Sequence, residues 1–584
     1  MQSYSELLRQ RRRISWLNLG LVAVGIVLVG RLFSLQIVNH QRYRVLATRE
    51  HNRKYEIPAN RGQIYLRDGD DKSPLALNQN LKLLYGDPKQ VTDKVKTAKV
   101  LAAVTGDSAD DYLKALSAPG EYAVLKQKVT TELADKITAL HLEGVGLSDQ
   151  QYRIYPEGQL ASQVVGFVNQ DGKGQYGIEG FLDNDLAGTP GKLSAKTDIA
   201  GNPIATADNI VEQPVNGKSY VLTLDRNIQA QSEKFLKEGV EAVGAKSGSV
   251  IVMDPKTGAV KAMANWPTYD ANDYGSVKDY SLFSNSVISD QFEPGSGFKV
   301  ITMSAGLDTG KVKPDTTYED TGEFKQDGYI IHNAENHKFG IQTMTDVITK
   351  SLNTGVIFVL KSLGGDPNAI NLTGKKTLYD YITKHFGFGV ATGIEQVGEA
   401  AGNVVAPNKG ANGNNVNYAN MTFGQGISVT MMQMTNAVAA IANGGKLYQP
   451  YLVDSTIDAD GTEHKSNPRV INPKVISPET AQQMTAMMET VVQHGSGWMT
   501  RMKGYNIAGK TGTAQVPRAD GQGYEDGKNI GSFVGFAPVE DPRFVIMVRI
   551  NEPHVSGFAE STTVPVFAHI ADWMLKYYAV PPSS

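Results

Sequence analysis

The sequence predicts an α/β domain, an antiparallel sheet flanked by helices, carried on a β-rich pedestal behind a single N-terminal membrane helix. Three observations predict it. An uncharged apolar run lies near the N-terminus, a region of short extended runs rich in Gly and Pro follows, and from residue 217 the chain turns to longer strand and helix patterns. At 584 residues the chain is too long for one ordinary domain, and a prior of about 150 residues per domain gives roughly two to four.

The membrane helix comes first. Arg9, Arg11, Arg12 and Arg13 precede ISWLNLGLVAVGIVLVG, residues 14–30, and Arg31 follows before LFSLQIV. Seventeen helical residues span about 26 Å, close to the roughly 30 Å hydrocarbon core, and Arg31 can snorkel toward the outer interface. A small-x-small cleavage site is hard to find after the apolar core, so the run reads as an uncleaved anchor over residues 14–37 rather than a signal peptide. The arginine cluster places residues 1–13 in the cytoplasm and the chain beyond the anchor outside. Hydrophobic residues at 41% and a net charge of −3 describe a globular chain with a real core, not one built to coat a polyanion, so nucleic acid is not an expected partner. The absence of cysteine excludes disulfides, thiolate metal sites and a Cys nucleophile.

Residues 38–216 read as a non-catalytic pedestal. KYEIPANRGQIYLRDG (54–69) predicts strand, turn, strand; residues 108–142 carry two short helical patterns; YRIYPEGQLASQVVGFV (152–168) returns to strand-like segments. Residues 217–584 form the predicted α/β domain. SYVLTLD opens it as a strand, an Asp-initiated amphipathic helix follows, and two strands meet at Asp254-Pro255-Lys256-Thr257-Gly258. NIAGKTGTAQ, GSFVGFAPVE and RFVIMVRINEP predict successive antiparallel strands, and VFAHIADWMLKYYAV a terminal helix. NKGANGNNVN (408–417) reads as a polar surface loop.

The candidate chemistry starts at QFEPGSGFKV (291–300). Among the serines, Ser296 alone is followed three places on by lysine, Lys299, and positions i and i+3 share a helix face. A turn at Glu293-Pro294-Gly295 puts Ser296 at the start of an expected α-helix, with Phe298, Ile301 and Leu307 burying one side. A lysine in that apolar setting can lose its proton near neutral pH and serve as a base. SLNTG (Ser351, Asn353) adds a hydroxyl and an amide ahead of an apolar helix. Of three Lys-Ser/Thr-Gly triplets, the first (Lys246) lies in a loop before a strand and the second (Lys256) in a hairpin turn; Lys510-Thr511-Gly512-Thr513 lies inside a strand, where a glycine lets a ligand approach the backbone.

SGFK, SLN and KTGT in this order resemble the three active-site motifs of penicillin-binding transpeptidases, which serine β-lactamases share. RGQIYLRDG, GIEGFLDNDLAGTPG, FGQGISVTMMQMTNAVAAIANGG and GSFVGFAPVEDPRF extend the resemblance to the monofunctional, membrane-anchored class B penicillin-binding proteins. The resemblance implies an elongated pedestal of the dimerisation type and a penicillin-binding transpeptidase domain that needs no cofactor or metal. It implies that Ser296 attacks the D-Ala-D-Ala bond of peptidoglycan stem peptides while Lys299 takes its proton. It implies too that Ser351 relays a proton to the departing D-alanine, and that Asn353 holds the substrate amide and Lys299. The resemblance further implies that Lys510, Thr511, Gly512 and Thr513 bind substrate, with Lys510, Thr511 and Thr513 on the terminal carboxylate, that the amides of Ser296 and Thr513 form an oxyanion hole, and that β-lactam antibiotics are trapped at the same serine. EPGSGFK and KSLNTG look more like the cell-division type than the elongation type, which implies a polytopic glycosyltransferase and other divisome proteins as partners at the cytoplasmic membrane.

Three residues depart from the family pattern: Gly297 stands where threonine is usual, Leu352 where serine is common and Leu66 where aspartate is usual. A β-lactamase or drug sensor uses the same motifs, but no ExxLN is found and the long membrane-proximal region argues against a scavenging hydrolase. The complete motif set argues against a silent scaffold. HNAENH (332–337) lacks helical metal-site spacing and reads as a loop, and Tyr418-Ala419-Asn420 reads as the start of a core element.

Overall fold

A computed structural model describes residues 4–43, 52–196, 210–334, 340–408, 414–518, 523–555 and 558–583. Two compact units are distinguished: Met1–Asn60 with Gly188–Gly217, and Arg61–Ala187 with Lys218–Ser584.

In the first unit helix α1 (Tyr4–Phe33) continues into a π-turn at Ser34–Val38. The stretch Arg11–Val38 is long and apolar enough to cross a membrane, and its Trp16, Leu17, Leu21, Ile26 and Val27 side chains are exposed as a lipid-facing helix requires. The same unit holds a three-stranded antiparallel sheet, with Gly191–Lys196 between Asn52–Ile57 and Ile210–Glu212.

The second unit is built on a five-stranded antiparallel sheet: β1 (Ser247–Met253), β2 (Val260–Trp266), β3 (Ala508–Pro517), β4 (Tyr524–Ala537) and β5 (Phe544–Asn551), in the order β2-β1-β5-β4-β3. Its central strands are apolar on both faces, because helices cover both. Along β1, Val250 and Val252 join Leu236 and Val240 of α2 (Arg226–Ala242), whereas Ile251 and Met253 join the core on the opposite face. That opposite core contains Ile301 of α3 (Lys299–Asp308), Ile357 of α4 (Asn353–Leu363), Met434 of α5 (Met431–Ala442) and Met488 of α6 (Pro478–His494). The terminal helix α7 (Ala559–Tyr577) lies with α2, through Phe567, Ile570 and Met574. Helix starts follow the sequence: Asp225 accepts from the N–H groups of Asn227 and Ile228, Thr430 and Gln433 form a capping box, and Pro478 opens α6 behind Ser477.

Strand Ser219–Asp225 differs from its expected place. It does not join the five-stranded sheet but pairs parallel with Ile64–Asp68 and antiparallel with Val453–Ile457, in a seven-stranded sheet that also holds Asp71–Gly86, Ala123–Val129 and Val145–Ile154. Leu66 is fully buried in that sheet, in one core with Leu222 and Leu224. At this position leucine is therefore a core side chain, and a lone carboxylate would be desolvated.

Candidate active site

Gly295–Phe298 form a 3-10 turn that runs directly into α3 at Lys299, which corrects the expectation of an α-helix beginning at Ser296. Gly295 enters the turn in the left-handed region, φ +53°, and its N–H goes to Gly424 O at 3.1 Å, so the turn is tied from outside. In a 3-10 turn residues i and i+3 eclipse, so Ser296 and Lys299 still share one side. Further ties come from residues 426–429 and from β4: Phe292 and Val429 exchange two backbone bonds of 3.0 Å, and the Glu293 carboxylate accepts from Gly426 N–H at 2.8 Å and Tyr524 O–H at 3.0 Å. Burial raises the pKa of Glu293 above the usual carboxylate range. Within Gly295–Val300 only Ser296 is not buried.

Two buried amines converge on one hydroxyl. Lys299 Nζ donates to Ser351 O at 2.5 Å and lies 3.1 Å from Ser351 Oγ; Lys510 Nζ, on β3, donates to the same Oγ at 3.0 Å and to Thr511 O at 3.1 Å. Both lysines are 0% exposed, and their bonds go to neutral oxygens. Burial, then the charge of Lys510, pushes the Lys299 amine well below the ordinary lysine value; burial brings Lys510 down to about 7. Ser351 is itself held at φ +57°, a left-handed conformation that costs a non-glycine residue about 1–2 kcal/mol. Leu352 locks it there, 1% exposed and donating its N–H to Val347 O at 2.9 Å, which explains an apolar residue inside this motif.

Asn353 begins α4, and its side chain donates to His332 O at 2.8 Å; Lys299 is held by Ser351, not by Asn353 as expected. The cap of α4 comes from Asn333, whose Oδ1 accepts from Asn353 N–H at 2.8 Å and Thr354 N–H at 3.2 Å while its Nδ2 donates to Asp320 at 2.9 and 3.0 Å. The segment read as a plain loop, HNAENH, thus supports SLN through its first two residues; Glu335 and His337 lie outside the described residues. No sequence signal marks Asn333, because a cap from 20 residues away leaves no local pattern.

Strand β3 brings Lys510, Thr511, Gly512 and Thr513 to the nucleophile turn. A Cβ on Gly512 would lie 2.7 Å from Pro294 O and 3.2 Å from Gly297 N, and one on Gly295 would lie 2.5 Å from Thr513 O, so the two backbones touch. This contact sets the amides of Ser296 and Thr513 on adjoining segments. Strand β3 is the sheet's edge, paired with β4 alone among the described residues. The two other Lys-Ser/Thr-Gly triplets play no part here: Ser247 starts β1, and Gly258 turns between β1 and β2 at φ +81°. Ser296, Lys299, Ser351, Lys510, Thr511, Gly512 and Thr513 are therefore brought together, with Asn353 at the start of α4 behind Ser351.

Comparison with known proteins follows the same lines. Residues 248–572 match the penicillin binding protein transpeptidase domain, and residues 56–222 the penicillin-binding protein dimerisation domain. Over 581 residues the chain is 34% identical to stage V sporulation protein D of Bacillus subtilis (strain 168), covering 98% of this chain and 86% of that protein. Over 584 residues it is 29% identical to peptidoglycan D,D-transpeptidase FtsI of Escherichia coli (strain K12), covering 98% and 93%. The crystal structure of penicillin binding protein 3 from Mycobacterium tuberculosis complexed with aztreonam is similar with a TM-score of 0.69 and 28% identity, over 91% of this chain and 98% of that one.

Proposed function

We propose that this chain, which belongs to the class B penicillin-binding proteins, cross-links peptidoglycan stem peptides through an acyl-enzyme on Ser296. The observation that carries this reading is the convergence of Lys299 and Lys510 on Ser351 Oγ, at 3.1 and 3.0 Å, beside the one partly exposed residue of the nucleophile turn. Ser296 Oγ attacks the carbonyl carbon between the last two D-alanines as its proton passes to Lys299, whose burial favours the neutral amine a base needs. The C–N bond then breaks, and Ser351 relays a proton from Lys299 to the departing D-alanine nitrogen. An amine of a second stem peptide attacks the ester, forms the cross-link and returns Ser296 to its hydroxyl.

Lys510, Thr511 and Thr513 bind the terminal carboxylate, and Gly512 lets the strand that carries them lie against the nucleophile turn. The N–H groups of Ser296 and Thr513 face the developing oxyanion, each donor contributing roughly 3–4 kcal/mol. The edge of β3 opposite β4, unpaired among the described residues, suits an extended stem peptide added as a further strand. Asn353 orients the substrate amide from the start of α4. β-Lactams acylate Ser296 by the same attack. Intact-protein mass spectrometry after penicillin treatment, with peptide mapping, tests the assignment: the adduct is expected on Ser296, and an adduct elsewhere overturns it.

The division-type character of EPGSGFK and KSLNTG supports a role in septal synthesis beside a polytopic glycosyltransferase and other divisome proteins, engaged through the anchor (14–37) and pedestal (38–216). Residues 217–584 carry the transpeptidase. The arginine cluster ahead of the apolar helix supports a cytoplasmic N-terminus and an extracytoplasmic catalytic domain. A reporter fused after residue 45 is expected outside the cytoplasm, and a fluorescent fusion at midcell; a cytoplasmic reporter or sidewall fluorescence contradicts each in turn.

A further inference from the structure

The segment Gly495-Ser496-Gly497, just after α6, joins the two sides of the site. On one side Gly495 packs against the residues that lead into Ser351: a Cβ on it would lie 2.6 Å from Thr349 O. Thr349 Oγ1 is also bonded to Thr490 Oγ1 of α6 at 2.5 Å. On the other side Ser496 Oγ lies 2.6 Å from Thr511 Oγ1, which is in turn 3.4 Å from Lys510 Nζ. Thr511 is 8% exposed, whereas Ser496 is only partly buried.

We infer that Ser496 is a positioning residue for the carboxylate-binding hydroxyl of Thr511, and so a determinant of selectivity for substrates and inhibitors with a free carboxylate. The inference rests on the acyl-transfer reading above. A carboxylate only accepts hydrogen bonds, and a threonine hydroxyl has a single proton to donate. If Thr511 donates to Ser496, that proton is lost to the ligand. When a carboxylate arrives, the favourable arrangement is the reverse: Ser496 O–H donates to Thr511 Oγ1, and Thr511 O–H donates to the carboxylate. Each donor polarises the next, and bonds to a charged acceptor are the stronger ones. Lys510, at 3.4 Å from the same oxygen, is too distant to replace the 2.6 Å partner. Sequence reading passes over Ser496 because its partner lies on a strand beyond an intervening turn, with no fixed spacing to mark the pair.

The test compares the full chain in detergent with Ser496→Ala, Ser496→Thr, Thr511→Val and the Ser496→Ala/Thr511→Val double variant. Acylation of Ser296 is followed with a labelled penicillin and with the same penicillin carrying its carboxylate as a methyl ester. Ser496→Ala is expected to lower the second-order acylation constant for the acid about 3- to 10-fold, mainly through weaker saturation rather than a slower maximal rate. The ester is expected to react equally with both proteins, Ser496→Thr to restore the acid's rate, and Thr511→Val to abolish any further effect of Ser496→Ala. Equal losses for acid and ester, additive losses in the double variant, or an unchanged Ser496→Ala protein each overturn the role of Ser496. Absence of a wild-type adduct on Ser296 overturns the acyl-transfer reading instead.

Discussion

Replacing Gly297 with alanine adds one methyl group inside the nucleophile turn, at a buried residue whose backbone lies outside the left-handed region. The new Cβ would meet Met434 Cε at 3.8 Å, an ordinary van der Waals contact, and nothing nearer. No clash therefore opposes the gain from restricting the unfolded chain, about 0.4–1 kcal/mol at a compatible site. Burying the methyl group adds up to about 0.8 kcal/mol. The sum, roughly 0.4–1.8 kcal/mol, corresponds in a domain spanning residues 217–584, at about 2.1 cal/mol/K of unfolding entropy per residue, to a rise in Tm of roughly 0.5–2.5 °C. Threonine adds two atoms beyond Cβ, and the neighbour that has to yield is the flexible end of Met434.

The same stiffening bears on reactivity. Our hypothesis is that Gly297 lets the turn sample conformations in which Ser296 is not aligned with Lys299, so that Gly297→Ala and Gly297→Thr acylate faster with penicillin, by a factor of about 2–5. Scanning calorimetry gives the first quantity and stopped-flow acylation with a fluorescent penicillin the second. Gly295→Ala is the internal contrast: at φ +53° and with its Cβ 2.5 Å from Thr513 O, it is expected to lower both stability and acylation. A lower Tm for Gly297→Ala refutes the packing argument. A higher Tm with an unchanged acylation rate refutes the link to reactivity.

Gly512→Ala should reduce acylation at least about 100-fold with a smaller loss of stability, since its Cβ would press on Pro294 O at 2.7 Å and move β3 off the turn by a distance that catalysis does not tolerate; near-normal acylation contradicts that contact. Asn333→Ala removes the acceptor for the N–H groups of Asn353 and Thr354 and should cost about 1–2 kcal/mol in urea unfolding, and a loss below about 0.3 kcal/mol denies it the capping role. Lys510, depressed to about 7 from 10.5, binds fewer protons folded than unfolded between those values, so its burial penalty is full below pH 7 and fades as pH rises toward 10. Lys510→Met should accordingly exceed the wild-type Tm most below pH 7, and a pH-independent difference rules the penalty out. Acylation by the free-acid penicillin should decline above about pH 7 as Lys510 loses its charge, while the methyl ester shows no such limb.

The motifs were legible in the sequence because acyl transfer needs particular residue types at short, fixed spacings, and such spacings survive in a one-dimensional reading. The five strands of the main sheet were legible for a similar reason, since each is a short strand-like run set off by turn residues such as Asp254-Pro255-Lys256-Thr257-Gly258. What supports them was not legible. Strand Ser219–Asp225 has a clear strand pattern, yet nothing in that pattern names Ile64–Asp68 as its neighbour. Asn333 and Ser496 look like ordinary loop residues because their partners, the start of α4 and Thr511, are reached only through the tertiary fold.

Glycine plays two different parts around the nucleophile. In sequence, Gly295 and Gly297 flank the nucleophile, while Gly424 and Gly512 stand in distant segments. In the structure a Cβ on Gly424 would lie 2.2 Å from Gly295 O, one on Gly295 2.5 Å from Thr513 O, and one on Gly512 2.7 Å from Pro294 O. These three are contact surfaces, where the nucleophile turn is clamped by backbone between the FGQGIS segment and β3. A Cβ on Gly297 would make only an ordinary contact with Met434 Cε at 3.8 Å, so packing does not require glycine there. The turn is thus held from both sides, and the freedom left in it sits at Gly297, immediately after the nucleophile. A side chain at Gly297 adds to that clamp, whereas one at Gly295, Gly424 or Gly512 forces it open.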